Sequence, residues 1–469
     1  MPQPHASSYP ATLPPPGAKP WLIEAKATLA LALPLIGAQL AQVGIQTIDI
    51  VMIGWLGPQE LAAAALGSSI FFASWLFAMG ICSAVAPLVA YARGSKQPRQ
   101  VRRSVRQGFW VALTIGLPLS LALWQMEAIL LSLGQLPGNA ALAGSYIQAM
   151  LFGFVPSLWF VVMRSFLSAM DKGRIILVVS LLALGLNALC NYALMFGNFG
   201  FPRLELVGAG IASALVACFM FAGLLFYTLT HRRLKRYALM IRLWRPDWPL
   251  YREIFFIGTP IGATILMEAG MFAAAAQMMG RIGTIELAAH TISLQCVAVA
   301  FMLPLGLGQA ATIRVGLADG RRQWATIGYA GWSAMALGMV CVVLTVIAFW
   351  FFPVTLVDFF LDLDLAENRA VLDYAVIYLA IAAIFQLADS GQVIASCSLR
   401  GLKDTRKPML LAAFGYWGIG VPVALWLGFR TDLGGTGVWI GLAVGLMVTA
   451  AMLILRFALR ERIGLTHRT

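Results

Sequence analysis

Residues 34–63 read PLIGAQLAQVGIQTIDIVMIGWLGPQELAA, and residues 260–289 read PIGATILMEAGMFAAAAQMMGRIGTIELAA. The two stretches align without a gap, and the register continues to Gly94 and Gly320 with roughly a quarter of the positions identical. Each stretch begins with an apolar run that is long enough to cross about 30 Å of hydrocarbon. A duplicated membrane-spanning unit therefore decides the fold.

The composition extends this interpretation to the rest of the chain. Of its 469 residues 60% are hydrophobic and 11% are charged, against roughly 25% charged in soluble domains. The links between apolar runs are too short for a soluble domain, so we expect an all-α integral membrane protein of about twelve transmembrane helices. The predicted helices run from Thr28 to Gly54, Leu61 to Ala92, Val105 to Met126, Ala140 to Met170, Ile175 to Phe196, Leu206 to Thr230, Tyr251 to Gly280, Leu287 to Leu317, Ala325 to Phe352, Val371 to Leu402, Pro408 to Phe429 and Gly435 to Leu459.

The repeat also predicts how these helices are organised. Six helices separate equivalent points, so both copies enter the membrane from the same side and the pseudo-twofold axis follows the membrane normal. We expect two pseudo-symmetric six-helix lobes around a central cavity, which favours alternating access over a channel and needs only a monomer. The predicted divisions are a disordered Pro-rich tail (1–20), an N-lobe (21–231), a cytoplasmic linker (232–250) and a C-lobe with a short basic tail (251–469).

Cations are concentrated in every second link between the predicted helices, most densely at 93–106 and 232–252. The positive-inside rule places these links and both termini in the cytoplasm. The net charge of +13 is spread over these links, as contact with anionic membrane lipids requires, so nucleic acid is not an expected partner. Arg164, Arg314 and Arg400 lie near cytoplasmic helix ends, where their side chains are predicted to reach the surface.

Three carboxylates lie well inside predicted helices: Asp49, Glu268 and Asp389. An ionised carboxylate in lipid costs at least a few kcal/mol, so each should face protein or water. Glu268 and Asp389 lie near mid-membrane in the second lobe, where two acids can hold Na⁺ or share a proton and thereby couple an ion to a conformational change. The alternative is that the acids are held neutral by hydrogen bonds.

Several polar residues are candidates for the cavity beside these acids. Asn187 and Asn191 share one helix face, as do three glutamines that approach Asp49: Gln39, Gln42 and Gln46. Interhelical hydrogen bonding is the alternative role for each of them. His290 is either a proton carrier or a hydrogen-bonding core residue. The sequence has no metalloprotease, hydrolase or phosphate-loop motif, so we expect no catalytic residue and no cofactor.

Eight segments stand out when the chain is followed in order: Pro34 to Gly54, Glu60 to Ala63, Arg106 to Trp110, Pro260 to Gly280, Met302 to Gly306, Ile313 to Gly316, Gln386 to Val393 and Leu399 to Gly401. Together they resemble a known family, the multidrug and toxic compound extrusion (MATE) transporters, in the bacterial NorM-like branch. The resemblance covers nearly all of the chain after the tail.

The resemblance implies a MATE fold in the bacterial inner membrane. It also implies export of cationic, amphipathic drugs and dyes in exchange for Na⁺ or H⁺. By position, Asp49 matches the first-lobe acid with Asn187 and Asn191 beside it, and the pair Glu268 and Asp389 matches the second-lobe cation site. Phe385 is a departure, because some members have a tyrosine there, and the missing hydroxyl weakens the case for Na⁺. A flippase for lipid-linked saccharides and a membrane-embedded enzyme are the alternatives.

Overall fold

The computed structural model describes residues 20–241, 244–361, 365 and 368–466, and all regular secondary structure in these residues is helical. By length and apolar composition, eleven helices can cross a membrane, and a bent pair of shorter helices, Pro137–Leu151 with Phe154–Ala169, makes a twelfth span. This confirms the predicted all-α membrane class and the helix number. The spans are α1 (Pro20–Gly54), α2 (Pro58–Gly94), α3 (Pro98–Leu123), α4 (Pro137–Leu151 with Phe154–Ala169), α5 (Gly173–Phe196), α6 (Glu205–Thr230), α7 (Trp248–Ile282), α8 (Thr284–Gly320), α9 (Trp324–Phe351), α10 (Arg369–Gly401), α11 (Arg406–Arg430) and α12 (Gly434–Ala458).

Three spans depart from a straight α-helix. The two halves of α4 meet at 45° across residues 152–153, and Ala84 interrupts α2. In α11, residues Phe414–Gly420 form a π-helical turn. Three short helices flank the spans: Met126–Ser132, Arg232–Lys235 and Pro353–Asp358. The predicted tail lies outside the described residues except for Pro20, where α1 begins instead of at the predicted Thr28.

Large apolar side chains cover the outside of the bundle. Leu121 of α3 is 73% exposed, Phe226 of α6 is 70% exposed and Leu344 of α9 is 65% exposed. In water such side chains would be unfavourable, whereas lipid tails solvate them without cost. The spans thus present these faces to the bilayer, as in a multi-pass membrane protein.

We call α1–α6 the N-lobe and α7–α12 the C-lobe, and the two meet along a pair of equivalent seams. In the first seam α2 lies against α7, where a Cβ on Gly80 would overlap the backbone of Gly262. In the second, α8 lies against α1, where a Cβ on Gly306 would overlap Ile36. The repeat pairs Gly80 with Gly306 and Ile36 with Gly262. The operation that superimposes the two lobes therefore turns the first contact into the second, and the second into the first. An interface of this kind is isologous, as a twofold axis requires.

The same exchange holds at the helix ends next to the basic links. A Cβ on Gly94 would overlap the carbonyl oxygen of Leu317, and a Cβ on Gly320 would overlap that of Tyr91. Leu317 and Tyr91 are themselves equivalent in the repeat register. Only glycine allows the two backbones to approach this closely, so the lobes are packed tightly at this end.

A buried ion pair joins the lobes at this end. Arg314 of α8 donates two hydrogen bonds from Nη2 to Glu24 of α1, at 2.7 and 2.6 Å, and a third from Nε at 3.1 Å. The Arg314 side chain is 7% exposed and the Glu24 side chain 11%. The prediction that Arg314 reaches the surface is therefore wrong, because α1 begins before the predicted Thr28 and its first turns bring Glu24 to Arg314.

Two further contacts involve residues near the same end of the lobes. Arg164, also predicted to reach the surface, is half-buried and donates to Oε1 of Gln39 at 2.8 Å. Across the lobes, Arg103 of α3 donates to Asp247, which precedes α7. This hydrogen bond to Arg103 holds the pKa of the Asp247 carboxyl below its usual range.

Candidate functional site

Asp49 of α1 lies at the centre of a hydrogen-bond cluster inside the N-lobe. Its Oδ1 accepts from Asn187 at 2.9 Å and from Asn191 at 2.6 Å, and its Oδ2 accepts from Ser213 at 3.3 Å. Both asparagines come from one face of α5, as their one-turn spacing predicts, and both are fully buried. Three donors complement the negative charge of one carboxylate, so the cluster fixes Asp49 in place.

The Asp49 carboxylate borders a cavity of about 570 Å³ between α1, α2, α4 and α6. Apolar side chains form most of the wall, and its aromatic members include Phe71, Phe72, Trp75 and Tyr146. Phe72 and Trp75 stack at 5.9 Å between ring centroids, and the Trp75 indole donates to Ser157 at 2.8 Å. Such a volume fits a drug-sized ligand, and an acid beside aromatic faces fits a cationic one.

The glutamines predicted near Asp49 lie in different surroundings. Gln46 lines the cavity, whereas Gln39 accepts from Arg164. The Nε2 atom of Gln42 is buried without a hydrogen-bond partner among the described residues. The structure thus brings Gln46, Asn187 and Asn191 to the Asp49 region, and their roles in transport stay predictions.

The C-lobe holds a second polar cluster, formed by α7, α10 and α11. Glu268 accepts at Oε1 from Nε2 of Gln392 at 3.0 Å, and Oε1 of Gln392 accepts from the Tyr416 hydroxyl at 2.5 Å. Asp389 lies one helical turn before Gln392 and is 2% exposed, and its Oδ1 has no hydrogen-bond partner among the described residues. Two acids are thus held in one lobe, one with an oriented donor and one with a free acceptor.

The remaining two candidates surround a tryptophan in the C-lobe. The ring of His290 lies 5.5 Å from that of Trp439, and neither of its nitrogens has a hydrogen-bond partner in the part of the chain described. Phe385 is fully buried between Phe272 and Trp439, with ring centroids 5.9 and 6.0 Å away. Both residues pack in an aromatic cluster and provide no oxygen ligand for a cation.

Sequence analysis overlooked four residues of these clusters as cavity or site candidates: Ser157, Ser213, Gln392 and Tyr416. A serine within an apolar helix is a common packing residue, so the sequence carried no signal for the first two. Gln392 lies one turn after Asp389, and that spacing could have identified it. Tyr416 lies 24 residues from Gln392 on another helix, and no local pattern identifies it as a hydrogen-bond donor to that residue.

Comparison with known proteins identifies the family. The MatE family model matches the chain over residues 34–193 and again over 260–426. The chain belongs to the MatE family. Both matches begin at the prolines with which the internal repeat begins, so this MatE chain contains the family unit twice.

Close relatives cover the MatE chain almost completely. A protein from Brucella suis, named probable multidrug resistance protein NorM, is 45% identical over 439 residues, 93% of each chain. A relative of the same name from Mesorhizobium japonicum is 40% identical over 95% of this chain and 96% of its own. The resemblance to the NorM-like branch is therefore confirmed.

Solved structures share the fold at low sequence identity. A crystal structure of a eukaryotic MATE transporter has a TM-score of 0.85 at 23% identity and covers 96% of this chain and 99% of its own. An outward-facing multidrug resistance MATE family transporter has a TM-score of 0.84 at 21% identity, with 95% and 97% covered. The predicted MATE fold is confirmed. The family match and the NorM relatives show that the chain is a transporter and not an enzyme.

Proposed function

We propose that this protein is a NorM-type multidrug efflux transporter that exports cationic or amphipathic organic compounds in exchange for Na⁺ or H⁺. The observation that carries the proposal is the Asp49 cavity, in which a single carboxylate faces a largely apolar, aromatic chamber. No lysine or arginine belongs to the described lining of that chamber. A flippase for lipid-linked phosphosaccharides would need cations there, so the cavity favours organic cations instead.

In this proposal Asp49 binds the positive charge of the drug while the stacked pair Phe72 and Trp75 binds its flat apolar part. Asn187, Asn191 and Ser213 hold the carboxylate in position by hydrogen bonds. Because the donors occupy only part of the carboxylate surface, a bound cation or proton competes with the drug for the same charge. Competition for this acid makes drug binding and ion binding in the N-lobe oppose each other, alongside the coupling site proposed in the C-lobe.

Glu268 and Asp389 form the proposed coupling site in the C-lobe. Two carboxylates in a dry environment repel each other, and a shared proton or a bound Na⁺ relieves that repulsion. The free Oδ1 of Asp389 is available to a proton or to the ion. Occupation then favours one arrangement of the lobes over the other, which converts the ion gradient into drug export.

The orientation follows from the charges of the links. We place the basic links, the Glu24–Arg314 ion pair and both termini in the cytoplasm of a bacterial inner membrane. With this proposed orientation, the end at which the lobes are packed together faces the cytoplasm, and we assign the structure to a state closed on that side. One chain contains both lobes, and a monomer therefore provides the whole pathway.

The test is accumulation of the fluorescent cation ethidium in cells that lack their own exporters. We expect the wild type to lower accumulation and Asp49→Asn, Glu268→Gln and Asp389→Asn each to lose most of that effect at equal membrane abundance. Glu127→Gln is the matched control, since Glu127 is an exposed acid away from both clusters. Equal export by all five proteins would refute the assignment of the acids.

The coupling ion is identified with purified protein in vesicles, where Na⁺ and H⁺ gradients are imposed separately. Export that follows one gradient and is abolished in Asp389→Asn supports the coupling site. Export that ignores both gradients contradicts coupling while leaving the drug site intact.

A further inference from the structure

A second cavity, of about 730 Å³, lies between the starts of α7 and α11. Tyr251, Phe255 and Phe256 of α7 form one wall, and Met409 and Leu410 of α11 form the other. Both helices begin at this end next to basic links, so the cavity lies at the depth where the hydrocarbon meets the polar surface. It has no part in the Asp49 chamber or in the Glu268 cluster.

Two arginines border this cavity without an acidic partner. Arg252 and Arg406 both line it and are exposed, and neither forms an ion pair with any described acid. The nearby Glu253 is engaged by Lys403 at 3.1 Å. The Arg406 guanidinium lies 3.3 Å from the centroid of the Phe256 ring, which fixes its position over the cavity wall. The cavity therefore combines uncompensated positive charge with apolar walls.

We propose that this cavity binds an anionic phospholipid of the leaflet that faces the basic links. Its phosphate would contact Arg252 and Arg406, and an acyl chain would lie along Phe255, Met409 and Leu410. Both arginines lie within the first five residues of their helices, where the helix dipoles also favour an anion. A drug cation is excluded from this site by the same charges, so the site is distinct from the proposed drug cavity.

The test uses the purified full-length protein in detergent with dioleoyl phosphatidylglycerol, which is anionic. Dioleoyl phosphatidylcholine has the same chains but is zwitterionic. Retained lipid is counted by native mass spectrometry, and the thermal midpoint is followed as lipid is added, since a ligand of the folded state raises it. We expect phosphatidylglycerol to be retained and to stabilise the wild type at lower concentration than phosphatidylcholine.

The decisive variant is the pair Arg252→Gln with Arg406→Gln, which should weaken phosphatidylglycerol binding about thirtyfold, since each cation contributes about fivefold at an anionic surface. The matched control is Arg99→Gln with Arg174→Gln, two exposed arginines of other basic links, which should bind as the wild type does. If the double variant does not fold, each single variant should bind about fivefold more weakly, and Arg252→Lys with Arg406→Lys should retain most binding.

Three results would overturn the proposal. The first is unchanged phosphatidylglycerol binding in the arginine variants, and the second is equal binding of phosphatidylcholine by the wild type. The third is inorganic phosphate that by itself reproduces the stabilisation, which would identify a free-anion site instead of a lipid site. Ethidium export is not a readout here, so failure of this proposal is distinguishable from failure of the transport proposal.

Discussion

At the residue scale, Gln392 lies between one donor and one acceptor, and only one orientation of its amide satisfies both. The Tyr416 hydroxyl donates to Oε1, which leaves Nε2 directed at Glu268. Without Tyr416 the amide can rotate and present its oxygen to the carboxylate, which is repulsive. Tyr416 is therefore a positioning residue for the proposed coupling site, acting through Gln392.

We predict that Tyr416→Phe changes the half-maximal concentration of the driving cation by about tenfold, because the variant no longer orients the Gln392 hydrogen bond to the charged Glu268, and a bond to a charged group has about that value. The KM for ethidium should change little, because Tyr416 does not line the drug cavity. The measurement is the initial rate of ethidium export from vesicles as a function of pH and of Na⁺ concentration.

The matched control is Tyr378→Phe in the same lobe. The Tyr378 hydroxyl is buried, but it has no hydrogen-bond partner among the described residues. Its removal should leave the cation dependence unchanged. Equal responses of the two variants would show that loss of any buried hydroxyl in the C-lobe has this effect, and the positioning role of Tyr416 would be rejected.

The sequence located the acids of both clusters but only part of their surroundings. Asp49, Glu268 and Asp389 were found because a carboxylate in an apolar helix is costly and therefore conspicuous. Ser213 and Tyr416 were missed because they come from other helices, 164 and 24 residues away from the groups they contact. Which helix faces meet is a property of packing, and one sequence does not encode it in any local pattern.

At the element scale, α11 packs on α12 through glycines of both helices, within the π-helical turn and just after it. A Cβ on Gly441 would overlap the backbone of Ala424, and a Cβ on Gly415 would overlap the Thr449 hydroxyl. The turn shifts the register of α11 by one residue, which directs Tyr416 inward while Phe414 and Trp417 stay exposed. The glycine contacts and the position of Tyr416 thus depend on each other.

We predict that Gly441→Ala destabilises the protein by ~2 kcal/mol, because the new methyl group has no space beside the Ala424 backbone. Gly185→Ala in α5 is the control, since a Cβ there meets nothing within 4 Å and alanine favours the helix by up to ~1 kcal/mol. The measurement is the thermal midpoint of each purified variant in detergent. A midpoint for Gly441→Ala equal to that for Gly185→Ala would show that α11 and α12 can separate without cost.

Hydropathy predicted the twelve spans but not their irregularities. The break in α4 and the π-helical turn in α11 lie inside continuous apolar runs, and one inserted residue does not alter their hydropathy. The start of α1 was placed too late, at Thr28, because Glu24 and Lys26 resemble a polar link. In the folded chain Glu24 is neutralised by Arg314, a partner 290 residues away.

At the scale of the whole molecule, the two lobes are alike in backbone and unlike in charge. In the repeat register Gln42 is equivalent to Glu268, and Asp49 is equivalent to Ala275. Asp49 and Glu268 therefore each lie at a position where the other lobe has a neutral residue. This difference is what permits the proposed separation of a drug site in the N-lobe from a coupling site in the C-lobe.

The interface between the lobes shows the same asymmetry. Glu24 and Arg314 are equivalent to Leu250 and Leu88, both of which are buried. One seam is thus closed by an ion pair and the other has leucines at the matching positions. Neutralising one partner of a buried ion pair destabilises the closed state by several kcal/mol, because the other charge stays buried without a partner. In the open state the lobes are separate and water can solvate Arg314. The pair should therefore act as a latch on the closed end.

We predict that Glu24→Gln shifts the protein toward the state in which this end is open, by about 3 kcal/mol. Spin labels at positions 174 and 407, exposed residues of the N-lobe and the C-lobe, should report a longer distance in the variant. Asp404→Asn is the control, since the Asp404 side chain is about as buried as that of Glu24 but pairs with Arg456, at 2.7 Å, within the C-lobe alone. If both variants keep the wild-type distance, the glycine seams suffice to hold the end closed and the ion pair has no part in the transition. A longer distance in both variants would instead indicate general loosening of the lobes, because Glu24 joins the two lobes and Asp404 does not.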